Sequence, residues 1–144
     1  MPIINFRFTK INASKSDLSG SAKINVDESI GIKNISEVNL EFGPNQKAAT
    51  FEMEFIADYI QNEESKASIN IVSEAIYLDE DKKIKELLSN WKVKKPVNPD
   101  VVASIHNLAL TKSLVHALLL SDSLALPSPI NLPKIKVKAM DEKK

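Results

Sequence analysis

The chain contains no cysteine and only three glycines among its 144 residues. Without cysteine, a disulfide scaffold, a thiolate zinc site and a thiol nucleophile are all excluded. The glycines at positions 20, 31 and 43 are too far apart to form a phosphate-binding loop, and no serine lies in a GxSxG sequence. The sequence therefore predicts a protein that is not an enzyme and that carries no cofactor.

Potential metal ligands are also scarce. His106 and His116 are the only histidines, and they lie on one predicted helix at a spacing that turns them about 80° apart around the axis. A helical zinc site needs an i, i+4 pair, and no third ligand accompanies these two. The acidic run at residues 79–81 lacks the glycine and the distant glutamate of a calcium loop. No metal site is predicted.

The chain has no net charge, because 19 basic residues balance 19 acidic ones. The balance is uneven along the sequence: residues 1–79 hold 7 basic and 12 acidic residues (net −5), and residues 80–144 hold 12 and 7 (net +5). Such asymmetry is found in nucleic-acid-binding proteins, but it also arises when oppositely charged halves meet in a fold or across an oligomer. Aromatic residues make up only 6% of the chain, which favours the second interpretation.

Neither a signal peptide nor a membrane span is predicted. The N-terminus alternates apolar and polar residues, without the basic start and continuous apolar run of a signal peptide. We identify no apolar stretch of the roughly 18 residues that a span requires, since polar residues interrupt the longest one. We therefore expect a cytoplasmic protein that does not insert into membranes.

Strands are predicted throughout the first half, because apolar and polar residues alternate with the period of a half-buried strand. The clearest segment is residues 51–59, and the same alternation appears at residues 4–8, 22–26 and 38–42. A further segment, residues 69–78, is apolar on both faces in its later part, which predicts cover from two sides. Turn residues at 43–45 and 62–65 indicate an antiparallel meander.

Helical spacing begins after residue 79. Apolar residues at 84, 87, 88 and 91 predict an amphipathic helix over residues 80–92. Asn98 suits the N-cap of a second helix, and Pro99 suits its first helical position. This start signal predicts a helix that runs to about residue 120. That helix is apolar most of the way round, so a second subunit or the proline-rich segment 126–133 is expected to cover the surface that one sheet leaves exposed.

These patterns together predict an α+β fold. An antiparallel sheet of about four long strands is followed by the amphipathic helix and by the long apolar helix, which packs on the sheet. Residues 1–138 are expected to form a single domain, and residues 139–144 a charged C-terminal tail.

The order of elements resembles the SecB family of export chaperones and the SecB-like proteins of archaea and bacteria. Three stretches carry the resemblance: FRFTKINASKSD at residues 6–17, the paired segments EVNLEF and ATFEMEFIADYI within residues 37–60, and the apolar helix that runs into LPSPINLP at residues 126–133. Together they cover most of residues 4–133.

The resemblance implies a four-stranded sheet carrying a long helix, assembled as a homodimer or homotetramer. It also implies an ATP-independent holdase for unfolded polypeptide clients, in protein export or in control of a toxin–antitoxin system. Two features depart from the family. An amphipathic helix precedes the long one, and the tail lacks the Cys/His metal-binding character of the export chaperone, which weakens the case for docking to the export motor.

Client-binding residues are expected to border one apolar groove. They come from the end of the first helix, from the second helix and from the proline-rich segment: Trp91, Leu114, Leu118, Leu126, Ile130 and Leu132. The strand face of Glu52, Glu54 and Asp58 is either a solvated surface or a docking face for a basic partner.

The alternative function is binding of single-stranded nucleic acid. It would use Lys92, Lys94 and Lys95 beside Trp91, together with the lysines at 134, 136 and 138.

Overall fold

The computed structural model of the chain describes residues 3–16, 23–38 and 43–130. Over these ranges there are four strands and two helices: β1 (Ile3–Lys15), β2 (Asn25–Val38), β3 (Gln46–Gln61), β4 (Glu64–Glu80), α1 (Asp81–Lys92) and α2 (Pro99–Ser123). The strands form one antiparallel sheet, and both helices pack on it. The predicted α+β fold is confirmed. The expected tail at 139–144 and most of the segment 38–42 lie outside the described residues.

The strand order in the sheet is β1-β4-β3-β2. Strands β2, β3 and β4 form the predicted meander, but β1 pairs with β4 and not with β2, so the prediction of a simple meander is wrong for the first strand. Its position has a packing reason: Phe8 lies opposite Ser73 of β4, and its ring meets the ring of His116 on α2 edge to face at 4.4 Å. Strand β1 thus widens the face that the helices cover.

Both predicted turns are present. Asn62 and Glu63 join β3 to β4 with positive φ values of 55° and 63°, as in a type I′ hairpin, whose twist matches that of the flanking strands. Gly43 and Asn45 also have positive φ, and the N–H of Gln46 donates to the carbonyl of Gly43. The polar residues between the strands therefore set the register of the meander.

Strand β3 supplies the centre of the core. Alternate residues from Phe51 to Tyr59 are at most 1% exposed, and the residues between them are half-buried. Burial of each large apolar side chain contributes about 1.5–3 kcal/mol. The predicted one-sided alternation of residues 51–59 is confirmed.

No described element covers the opposite face of the sheet, so the cover from two sides expected for β4 is not found among the described residues. Val72 is nevertheless only 3% exposed. It lies between Lys10 of β1 and Glu54 of β3 in the register, so we attribute its burial to the neighbouring strands and not to a second layer.

Helix α2 begins as predicted. The side chain of Asn98 accepts a hydrogen bond of 2.9 Å from the N–H of Asp100, and Pro99 occupies the first helical position. The buried residues recur at every fourth position: Val101, Ile105, Ala109, Ser113, Ala117 and Ser121. Because four of these six are alanine or serine, the helix backbone lies close to the sheet, and the bulky leucines occupy its flanks and outer side.

Helix α2 bears on the expectation that no segment spans a membrane. Among the described residues it is the one helix long and apolar enough to cross a membrane, judged by length and composition alone. A core helix of a soluble protein meets the same measure. Here α2 packs its small residues on the sheet, so its composition alone does not indicate insertion into a membrane.

The close contact of α2 predicts a large cost for added volume at Ala117, which is fully buried. Ala117→Leu should lower the free energy of unfolding by about 1–3 kcal/mol, because the new side chain has to push the helix off the sheet. Ala103→Leu is the matched control, since Ala103 is exposed on the same helix and its replacement should change stability by less than about 0.5 kcal/mol. Urea unfolding measures both. Equal stabilities of the two variants would contradict the packing described.

Candidate functional site

The outer side of α2 carries an apolar surface in its second half. The exposed positions recur every four residues: Ala103, Asn107, Thr111, Val115 and Leu119. Only the last two are large and apolar, and they are 55% and 62% exposed. The neighbouring Leu114 and Leu118 are half-buried. We call Leu114, Val115, Leu118 and Leu119 the apolar row.

The chain turns back on the sheet directly after α2. Ala125 has a φ of 55°, the N–H of Leu126 donates to the carbonyl of Ser121 at 2.7 Å, and the N–H of Ala125 donates to the carbonyl of Asp122 at 3.1 Å. This pair of bonds is a Schellman motif, which ends a helix and reverses the chain. The turn places Leu126, only 7% exposed, in the apolar cluster at the far end of the sheet.

Residues 126–130, which we call the C-terminal strip, are held by polar contacts as well. The hydroxyl of Tyr59 donates to the carbonyl of Pro127 at 2.7 Å, and Pro129 is buried. The ammonium of Lys15 donates to the carbonyl of Leu124 at 2.8 Å, just before the strip. The first part of the proline-rich segment is therefore a piece of the core, and Leu132 lies outside the described residues.

The structure divides the expected client-binding residues between two places. Trp91 packs against the apolar cluster beneath α1 and the start of α2, whereas Leu114 and Leu126 belong to the cluster at the other end of the sheet. Leu118 lies on the apolar row, and Ile130 is half-buried in the strip. They do not line one continuous groove.

A second candidate site lies where α1 ends beside β2. Asn34 and Ile35 of β2 line it together with residues at the end of α1: Trp91, Lys92, Lys94 and Lys95. This site is a groove open to solvent, with a volume of about 630 Å³. The indole N–H of Trp91 donates to the side-chain oxygen of Asn34 at 3.4 Å and so links the helix to the strand. We call this site the lysine-rimmed groove.

Asn34 and Ile35 were not predicted as site residues. The register of β2 shifts between Ile32 and Asn34, so Lys33 is an extra residue that breaks the alternation of the strand. Ile32 and Ile35 both face the helices despite their odd spacing, opposite Met53 and Phe51. The spacing of these isoleucines is the signal in the sequence that could have indicated the bulge.

The predicted acidic residues share the outer face of the sheet. Glu54 accepts a hydrogen bond of 2.7 Å from the side-chain amide of Asn70, and Asp58 accepts one from the hydroxyl of Ser65. Glu52 lies opposite Glu74, which forms an ion pair of 2.8 Å with Arg7. This face carries more acidic than basic side chains, and several of its carboxylates are already hydrogen-bonded.

A small cavity of about 190 Å³ lies between β4, α1 and the start of α2. Tyr77 and Asp79 line it, and the tyrosine hydroxyl donates to the aspartate carboxylate. Burial, and then this hydrogen bond, raise the pKa of Tyr77, so its hydroxyl remains a neutral donor. No paired nucleophile and base line this cavity, and no group of three possible metal ligands occurs among the described residues.

Comparison with known proteins gives a match in structure and none in sequence. No protein-family profile matches the chain, and no curated protein matches it. Its fold is similar to that of a SecB-like chaperone of Mycobacterium tuberculosis, whose structure was solved in complex with a ChAD peptide from an antitoxin. The TM-score is 0.54 and the sequence identity is 11%, over 93% of this chain and 90% of that one. The relationship to SecB-like proteins is therefore one of fold.

The hydrogen bond from the Tyr59 hydroxyl to the Pro127 carbonyl predicts the effect of removing that hydroxyl. Tyr59→Phe should cost about 0.5–1.5 kcal/mol and should increase hydrogen exchange at Leu126, because the strip loses an anchor. Burial, and then the charge of Glu28, raise the pKa of Tyr59 above its ordinary value of 10.0, so the unfolded state releases this proton first. Stability is thus lost as pH rises above about 10.

The loss of stability between pH 9 and pH 11 should be smaller in Tyr59→Phe than in the unsubstituted protein, because the buried phenol is absent. Urea unfolding at the two pH values measures it. The same loss in both proteins, or unchanged exchange at Leu126, would contradict the role assigned to Tyr59.

Proposed function

We propose that the protein is an ATP-independent holdase of the SecB-like class, which binds unfolded or extended polypeptides in the cytoplasm. It acts as a homodimer or homotetramer, uses no cofactor and catalyses no reaction. The observation that carries this proposal is the apolar row, where Val115 and Leu119 are more than half exposed on the outer side of α2. Exposed apolar surface of this kind is typical of binding sites for other polypeptides.

The fold supports the proposal independently. A SecB-like chaperone has the same fold over nearly the whole chain, and it was solved with an antitoxin peptide bound. A holdase could serve protein export or a toxin–antitoxin system, and the neighbour's peptide favours the second. A protein with this role needs no catalytic groups, which suits the sequence described above.

The mode of binding follows from the surface available. A client that covers about 400 Å² of apolar surface gains about 10 kcal/mol from burial. The loss of freedom on association and the ordering of the client offset most of this gain, so affinity is moderate. Because the apolar row offers little hydrogen bonding, it selects clients by apolar content and not by sequence.

The acidic residues Glu52, Glu54 and Asp58 give the outer sheet face a separate role in this proposal. They share a face that no described helix covers, and their charge attracts a basic partner. A holdase that binds clients on its helix layer could therefore dock to another protein through its sheet.

The holdase proposal predicts that acidic substitutions on the apolar row abolish activity. At a stoichiometric ratio the protein should suppress aggregation of a denatured client, and Val115→Asp/Leu119→Asp should lose most of this suppression, because charge opposes apolar burial. Asn107→Asp/Thr111→Asp is the matched control, since it adds the same charge to the same exposed side of α2. Light scattering measures aggregation. If the unsubstituted protein failed to suppress it, the holdase proposal would be abandoned.

Measuring the oligomeric state shows whether the apolar row binds clients or joins subunits. Val115→Asp/Leu119→Asp and its control should be compared by multi-angle light scattering. A variant that becomes monomeric yet still suppresses aggregation would show that the row joins subunits and that clients bind elsewhere.

A second candidate function is binding of single-stranded nucleic acid. The observation that favours it is the half-buried Trp91 beside Lys92, Lys94 and Lys95 in the lysine-rimmed groove. Aromatic stacking together with basic side chains is the usual composition of such sites.

This alternative predicts binding that weakens steeply as salt is raised, since contacts with phosphates release counterions. Fluorescence anisotropy with labelled single-stranded oligonucleotides at two salt concentrations measures it. Absence of binding at low salt would remove the alternative.

A further inference from the structure

We propose that the lysine-rimmed groove selects extended polypeptide segments in which an apolar side chain is flanked by carboxylates. The inference rests on the proposed polypeptide-binding function and gives the clients a chemical class. Four observations carry it: the apolar floor of the groove, the lysines at its rim that pair with no described carboxylate, the hydrogen-bonded turn that holds them, and the edge of β2 that no described strand occupies.

The floor of the groove is apolar. Ile35 is 5% exposed and belongs to the core, and Trp91 packs against the same cluster from α1. A long hydrogen bond of 3.4 Å from the indole to Asn34 links the ring to β2. The open groove, with a volume of about 630 Å³, accommodates one or two large side chains of a ligand. The floor therefore suits an aromatic or branched apolar residue.

The rim carries positive charge without compensation. Lys92, Lys94 and Lys95 are exposed and form no ion pair in the part of the chain that the structure describes. Elsewhere the described basic residues include several that are paired: Arg7, Lys47, Lys66 and Lys85. Three unpaired cations around an apolar floor repel one another, and a ligand with two or more carboxylates relieves that repulsion.

The backbone under the lysines is fixed by the end of α1. Lys94 has a φ of 60°, its N–H donates to the carbonyl of Trp91 at 3.2 Å, and the N–H of Lys95 donates to that of Asn90 at 2.7 Å. This is a Schellman motif, like the one that ends α2. A ligand therefore meets lysines whose backbone positions are set before it binds, which lowers the entropic cost of binding.

No described strand occupies the adjacent edge of β2. In the described sheet β2 pairs with β3 alone, so its other edge presents backbone N–H and C=O groups. Extended peptides bind such edges by adding a strand, and side-chain pockets beside the edge supply specificity. Asn34 and Ile35 belong both to this strand and to the groove, so one extended segment can use both.

These features favour a polypeptide over a nucleic acid. A groove for single strands stacks successive bases on several aromatic rings. Among the described residues, Trp91 is the only aromatic one that lines this groove, and main-chain pairing at a strand edge is available to peptides and not to nucleotides.

The test uses the fluorescence of Trp91, which is the only tryptophan in the chain and lies in the proposed site. Three tryptophan-free peptides share one apolar core and differ in flanking Glu, Gln or Lys residues. At low salt the Glu peptide should bind about tenfold more tightly than the Lys peptide, and the difference should shrink as salt screens the lysines.

Substitutions test whether the lysines at the rim cause the preference for the Glu peptide. Lys92→Gln/Lys94→Gln/Lys95→Gln should remove it, because the rim loses its charge. Lys10→Gln/Lys23→Gln/Lys82→Gln removes the same number of exposed lysines away from the groove and should leave it intact. Equal affinity for the Glu and Lys peptides in the unsubstituted protein overturns the proposal without any variant. So does a preference that survives the groove substitutions.

A single-stranded oligonucleotide should bind more weakly than the Glu peptide. If it binds more tightly and displaces that peptide, the groove is a nucleic-acid site and the proposal is wrong. The aggregation assay separates this inference from the holdase proposal. If the protein suppresses aggregation but shows no charge preference, the inference alone is overturned. If it neither suppresses aggregation nor binds the peptides, both proposals are overturned.

Discussion

The contact between α2 and the sheet is made through small side chains, from Ala109 to Ser121 at every fourth position. Because alanine and serine occupy so little space, the helix lies close to the strands, and the larger residues in this part of the helix are kept off the line of closest contact. Those residues are leucines and valines, and they have to lie on the flanks or outside. One packing constraint therefore produces both a well-filled core and the exposed apolar surface on which the proposed function depends.

The two ends of the sheet are completed by different means. At one end α1 adds Ile84 and Leu87 to the core and leaves Trp91 at the margin, where β2 meets it. At the other end the chain turns back onto the sheet after α2, and Leu126 is buried in the apolar cluster there. The first end is left with an open, positively charged groove, and the second is closed by the C-terminal strip. The molecule therefore presents surfaces of different chemistry at the two ends of its sheet.

Much of the fold could be predicted because the relevant signals are local. The alternation of residues 51–59 reports a strand with one buried face, and Asn98 with Pro99 marks the start of α2. The place of β1 in the sheet could not be predicted, since the alternation of Phe6 and Phe8 identifies a buried face but not the neighbouring strand. Strand β2 was difficult for a related reason, because the bulge at Lys33 breaks its period.

The lysine-rimmed groove was half predictable on the same grounds. Trp91 and its lysines are neighbours in sequence, so their proximity needs no knowledge of the fold. Asn34 and Ile35 reach them only through the pairing of β2 with β3. The expected client-binding residues were grouped because of their apolar chemistry, without knowledge of where the fold places them. The length of α2 keeps Trp91 apart from Leu126.

The bonds that complete the sheet also bear on how the chain folds. Ile3 pairs with Tyr77, and the hydroxyl of Tyr59 donates to the carbonyl of Pro127, which follows it by 68 residues. The bond to Pro127 cannot form until most of the protein has been synthesised, so the sheet has to persist first without α2 and the C-terminal strip. Contacts this distant in sequence are slow to form. A newly made molecule therefore passes through a stage in which the apolar face of its sheet is not yet covered by α2.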